Sequence, residues 1–115
     1  MSQIDKQGYV TIGHFAYKLR GMTSEQKQVL AAKLIKRWEL TQAQEDALRL
    51  LENSEDDLLM IHSMLKFCYP HDSDLRFSWI KVPSKAFQGM SPIDLIILEG
   101  MSGIKRIRSY LSGAM

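Results

Sequence analysis

The sequence predicts an all-α fold, a compact bundle of about five to six short helices. Three observations lead to it. Apolar residues recur at helical spacing along most of the chain, and helix-capping residues punctuate those runs. Valine and isoleucine are present, but too few stand in alternating runs to build a sheet.

The first segment, 1–22, is the least regular. Ile12, Phe15, Ala16 and Leu19 fall at i, i+3, i+4 and i+7, one face of a short helix, although Gly13 weakens it. Alternation from Tyr9 to Ile12 leaves a short strand open as the alternative. At Thr23 the punctuation sharpens: Thr23 and Gln26 have capping-box spacing, and Leu30, Leu34 and Trp38, with Ala31 and Ile35, form the apolar face of a helix ending near Trp38. Thr41 and Gln44 repeat the cap before a second helix, whose face is Ala47, Leu48 and Leu51 and which runs to about Glu52.

Ser54 opens a third helix, with Glu55, Asp56 and Asp57 set against the positive end of its dipole. Leu58, Ile61, Leu65 and Cys68 continue its stripe until Pro70. Leu75 and Trp79 mark a short fourth helix to about Ile80, ended by Pro83, and Ser84 to Met90 reads as a loop. Ser91-Pro92-Ile93-Asp94 combines an N-cap, proline at the first helical position and an early acidic residue. Ile93, Ile96 and Ile97 form the inner face of that helix, and Gly100 is its left-handed C-cap. A final helix from about Ser102 places Ile104, Ile107 and Leu111 inward and Lys105, Arg106 and Arg108 outward.

At 115 residues the chain predicts a single domain, 1–115. One cysteine, Cys68, allows no internal disulfide and makes a structural zinc site improbable, so a reducing, cytoplasmic setting is expected. No window approaches the roughly 20 apolar residues of a membrane span, and no apolar secretory run opens the chain.

Chemistry is sparse. His14, His62 and His71 share no metal-ligand spacing with one another or with Cys68, Cys68 lies on an apolar stripe, and no glycine-rich phosphate loop occurs. The expectation is a protein that is not an enzyme and takes no metal or cofactor. Two readings stand for Lys105-Arg106-Ile107-Arg108, followed by Tyr110, Leu111 and a tail ending at Met115. They form either a solvated face near a helix C-terminus or a contact surface for an acidic or phosphate-binding cleft.

From Leu75 to Leu111 the order of motifs is specific. Phe77-Ser78-Trp79-Ile80-Lys81-Val82-Pro83 is followed by Phe87-Gln88-Gly89-Met90-Ser91-Pro92-Ile93-Asp94, then Glu99-Gly100 and Ile107-Arg108-Ser109-Tyr110-Leu111. This run resembles the toxin-binding domain of Xre/MbcA/ParS-type antitoxins, in which a tryptophan precedes a proline-bounded loop, a Gly-x-Ser/Thr-Pro helix start, a glycine and a closing helix. The resemblance implies a cognate RES-domain toxin, which degrades NAD, and a homodimeric antitoxin whose C-terminal helices cover the toxin's cofactor entrance. Carried over, Lys105, Arg106 and Arg108 are charged contacts, and Tyr110, Leu111 and the tail to Met115 are the plug. Trp79, Pro83, Gly89, Ser91, Pro92 and Gly100 shape the helix pair. Removal of Ser109 to Met115 is then expected to spare the fold and abolish neutralisation.

Upstream, Leu34 to Thr41 resembles the start of the family's helix-turn-helix, which makes 1–53 a degenerate DNA-binding part and 54–115 the toxin-binding region. The recognition helix is missing: Leu50-Leu51-Glu52-Asn53 runs almost directly into Ser54. Residues 39–60 hold one basic residue, Arg49, against seven acidic ones, a pattern that repels DNA. DNA binding is therefore doubtful. The alternative function is a small nucleic-acid-binding regulator using Lys6, Lys18, Arg20, Lys27, Lys33, Lys36 and Arg37, and a third is an orphan immunity or adaptor module.

Overall fold

A computed structural model describes residues 9–12, 15–18 and 21–114, with backbone alone for the first two segments. The body is all-α. Helices α1 (Ser24–Arg37) and α2 (Gln42–Arg49) both start on complete capping boxes. Thr23 Oγ1 accepts from the Gln26 N–H at 3.1 Å while Gln26 Oε1 accepts from the Thr23 N–H at 2.9 Å, and Thr41 and Gln44 do the same at 3.2 and 2.9 Å. Helix α2 stops short of the expected Glu52, because the Leu51 N–H bonds back only three residues, to the Leu48 carbonyl, and Asn53 turns left-handed at φ 57°.

Helix α3 (Glu55–Cys68) is the central element, packed against α1 and α6. It is buried without a break from Ile61 to Leu65, so its polar members turn inward too: Ser63 Oγ donates to the Leu59 carbonyl at 3.1 Å. Ser54 precedes it but does not cap it. Its backbone is helical and its hydroxyl donates to the Leu51 carbonyl at 3.2 Å instead of accepting from a helix amide.

Helix α4 (Ser73–Ser78) begins earlier than the apolar spacing suggested, because Asp72 Oδ1 accepts from the Leu75 N–H at 3.0 Å, and its end tightens into a 3-10 turn over Trp79–Lys81. Helices α5 (Pro92–Glu99) and α6 (Met101–Ala114) close the chain. On α5 the inward residues are Ile93, Leu95 and Ile96, whereas Ile97 faces out. Helix α5 packs on α6, on α2 and on the 3-10 turn over Trp79–Lys81, which buries an arc wider than one stripe and reaching to Leu95.

Among the described residues the core is one cluster, from Leu30 through Leu59 and Leu65 to Leu111. It runs across the expected 53/54 boundary, since Leu34 and Trp38 of the first part are as deeply buried as Ile104 and Ile107 of the second. At the N-terminus the helical face expected over Ile12 to Leu19 does not form. Strands β1 (Tyr9–Ile12) and β2 (Phe15–Lys18) pair antiparallel with Ile12 opposite Phe15, and β1 runs beside α3. Val10, Thr11 and Ile12 suit a strand better than a helix; Gly13, His14 and Leu19 lie outside the described residues. No helix among the described residues is long and apolar enough to cross a membrane.

Candidate functional site: the C-terminal helix pair and its loop

The loop before α5 is built from its own backbone. Ser84 opens a 3-10 turn over Lys85–Phe87, its Oγ accepting from the Ala86 N–H at 3.2 Å. Its carbonyl accepts from the Gly89 N–H at 2.9 Å and its own N–H donates to the Met90 carbonyl at 3.1 Å. Gln88 and Gly89 both have positive φ, 55° and 85°, so the turn needs two consecutive left-handed residues and glycine serves at the second. The result drives Phe87 into the core at 2% exposure while Pro83 stays outside. Phe87 is a core residue inside the segment expected to be a loop; its signal in the sequence is a lone aromatic between Ala86 and Gln88.

Ser91 and Pro92 then start α5 as expected. Ser91 is buried, and its Oγ accepts from the Asp94 N–H at 3.3 Å. Gly100 is the whole connection between α5 and α6. Its N–H donates to the Ile96 carbonyl at 2.7 Å and its carbonyl accepts the first α6 bond, from Ile104, at 3.1 Å. Its φ of 63° fits the expected C-cap, but ψ of −134° is not left-handed helical. It is an extended kink open chiefly to glycine, which is why α6 begins at Met101 with no linker.

Within α6, Ile104, Ile107 and Leu111 face inward. Leu111 is 1% exposed, so it belongs to the core and is not free to plug a partner. Tyr110 is 43% exposed, and its ring stacks on half-buried Trp79 at 6.3 Å and meets the edge of Phe87 at 5.3 Å. This aromatic cluster ties the end of the chain to the loop. Ser112 to Ala114 are exposed; Met115 lies outside the described residues.

The three C-terminal cations separate into two kinds. Arg106 donates to Glu99 Oε2 at 2.6 Å and to Gln88 Oε1 at 3.5 Å, and Arg108 is paired with Asp57 of α3. Both were expected to face a partner, yet each is held by an acid supplied by a neighbouring helix. Lys105 is exposed and has no hydrogen-bond or ion-pair partner among the described residues. Of the acidic trio on α3, Asp57 binds Arg108 and Asp56 binds Lys27 at 2.8 Å, so two of the three join helices in addition to facing the dipole.

Of the residues considered for nucleic acid, Lys27, Lys33, Lys36 and Arg37 lie on α1 and Lys18 ends β2, while Lys6 and Arg20 lie outside the described residues. Lys33, Lys36 and Arg37 are exposed, and the Arg37 guanidinium sits 4.4 Å above the Phe77 ring. No described helix is free to serve as a recognition helix after α2: α3 follows it, begins with three acids and is buried from Ile61 to Leu65. His62 is buried and stacks on Phe77 at 5.1 Å. Cys68 is only half-buried, and that burial still pushes its thiol up, toward the neutral form. No group of three metal-ligating side chains gathers among the described residues. Comparison with known protein families, curated proteins and solved structures finds no match.

Proposed function

We propose that this chain is an antitoxin-like protein that binds and neutralises a RES-domain, NAD-degrading toxin by covering its active-site cleft with α5 and α6. The observation that supports the reading is that the separate motifs resembling those of Xre/MbcA/ParS-type antitoxins fold as one unit. Trp79, Phe87 and Tyr110 are in ring contact, Ser91-Pro92 starts α5, and Gly100 joins it directly to α6. That unit leaves a helical end with an exposed tyrosine, a lone cation and a short Ser-Gly-Ala-Met tail, a shape suited to entering a cleft.

Within this proposal the roles divide. Lys105, the outer edge of Tyr110 and residues 112–115 touch the toxin. Arg106 and Arg108 hold α6 in place through Glu99 and Asp57. The toxin-contact test must therefore spare Leu111. Cells expressing a RES-domain toxin encoded beside this chain are rescued by the full protein, and the chain ending at Leu111 is expected to stay folded yet fail to rescue. Full rescue by that shortened chain rejects the tail as the neutralising element, and absence of any complex between purified toxin and intact chain rejects the function.

A further inference from the structure

A concave surface lies away from the C-terminal motifs. Where α1, α2 and the start of α3 meet, a groove of about 290 Å³ opens to solvent. Ala31 and Ile35, one turn apart on α1, Leu48 of α2 and Leu58 of α3 line it, and all four are buried, so the groove is cut into the edge of the core. Small-molecule sites begin at roughly 300 Å³, which sets the size of ligand that fits. Two charges share the groove with these apolar walls: Arg49, the last residue of α2, and Glu55, the first of α3. They stand too far apart to pair with each other, and neither has another hydrogen-bond or ion-pair partner among the described residues.

We infer that this groove binds a free α-amino acid with a branched aliphatic side chain, of the leucine class. Each part of such a molecule has a counterpart in the lining. The aliphatic side chain leaves water against Ala31, Ile35 and Leu58. The carboxylate meets the Arg49 guanidinium, whose forked N–H groups match its two oxygens, and the ammonium group donates to the Glu55 carboxylate. The head group thus bridges the interval that keeps Arg49 and Glu55 from pairing. Ligands with a single charge are disfavoured: an aliphatic acid satisfies Arg49 but is repelled by Glu55, and an aliphatic amine does the reverse. A leucine inside another protein's chain brings neither charge, so the Arg49/Glu55 pair selects the free amino acid over a protein side chain. The inference rests on this groove alone and is independent of the toxin reading.

Titration of the isotope-labelled full chain with L-leucine, followed through its amide NMR signals, tests it. The expected result is saturable shifts centred on Ala31, Ile35, Arg49 and Glu55, with half-saturation on the order of millimolar, as suits a ligand of so few atoms. Glycine, which lacks the side chain, binds roughly tenfold or more weakly. Isocaproate, which is leucine without the ammonium group, and N-acetyl-leucinamide, which has neither charge, bind roughly fivefold or more weakly. Arg49→Gln and Glu55→Gln each weaken leucine binding roughly threefold to fivefold, and Ala32→Trp, which fills the groove from an exposed lining position, abolishes it. Circular dichroism confirms that each variant keeps its helices; should Ala32→Trp unfold, the two charge variants decide the matter. Absence of saturable shifts at tens of millimolar L-leucine overturns the inference. N-acetyl-leucinamide binding as tightly as L-leucine overturns it too, and makes the groove a dock for another protein's side chain. Leucine affinity unchanged in the folded variants overturns it equally, because the amino acid then binds elsewhere.

Discussion

A Cβ at Gly103 would stand 2.6 Å from the Leu95 carbonyl oxygen and 3.2 Å from the Ile96 Cα, so α5 and α6 approach through bare backbone there. The obstacle is main chain and not a side chain that could swing aside. Gly103→Ala gains about 1 kcal/mol of helix propensity, against a steric cost of the order of 1–3 kcal/mol or more for forcing packed elements apart. The cost wins. Gly113→Ala is the control, because nothing lies within 4 Å of its would-be Cβ. Thermal unfolding is expected to show a clear fall in Tm for Gly103→Ala and no fall for Gly113→Ala; equal behaviour of the two would show that the close approach is not limiting.

Helix α6 illustrates how an element can be legible while the roles of its residues are not. Deleting Ser109 to Met115 removes Leu111, 1% exposed, and loss of a buried leucine costs about 2–5 kcal/mol. Deleting only 112–115 removes exposed residues. Urea titration is therefore expected to show the longer deletion strongly destabilised and the shorter one within about 0.5 kcal/mol of the parent; similar midpoints would refute the core role of Leu111. The inward positions Ile104, Ile107 and Leu111 follow from periodicity alone, as do both capping boxes. Arg108 was legible only as a cation, because its partner Asp57 lies 51 positions away and no local spacing reports that contact. Ile97 departs from the single inner stripe because α5 packs against three neighbours, α6, α2 and the 3-10 turn over Trp79–Lys81. The N-terminal hairpin was the weaker of two patterns in a segment where helical and alternating spacing overlap.

At the scale of the molecule, the core makes the N-terminal helices indispensable to the C-terminal ones. Leu30, Leu34 and Trp38 of the first part share one cluster with Leu59, Ile104 and Leu111, and α1 covers a flank of α3. A fragment holding only 54–115 leaves that flank open to water, at about 25 cal/mol for each Å² of apolar surface exposed. It is expected to lose cooperative unfolding and to bind a hydrophobic dye. A sharp, two-state transition in this fragment would contradict the single core. The net charge of +2 hides a similar interdependence, since Lys27–Asp56 and Arg108–Asp57 join α1 and α6 to the same acidic turn of α3.

The two tryptophans occupy different environments: Trp38 is 0% exposed in the core, whereas Trp79 is half-buried against Tyr110 near the end of α6. The chain thus has two intrinsic fluorophores with separate assignments. Emission from Trp38 reports whether the bundle is assembled, while water-borne quenchers reach Trp79 first and anything seated on the end of α6 shields it. Folding and occupancy of that end can be followed in one cuvette, without a label.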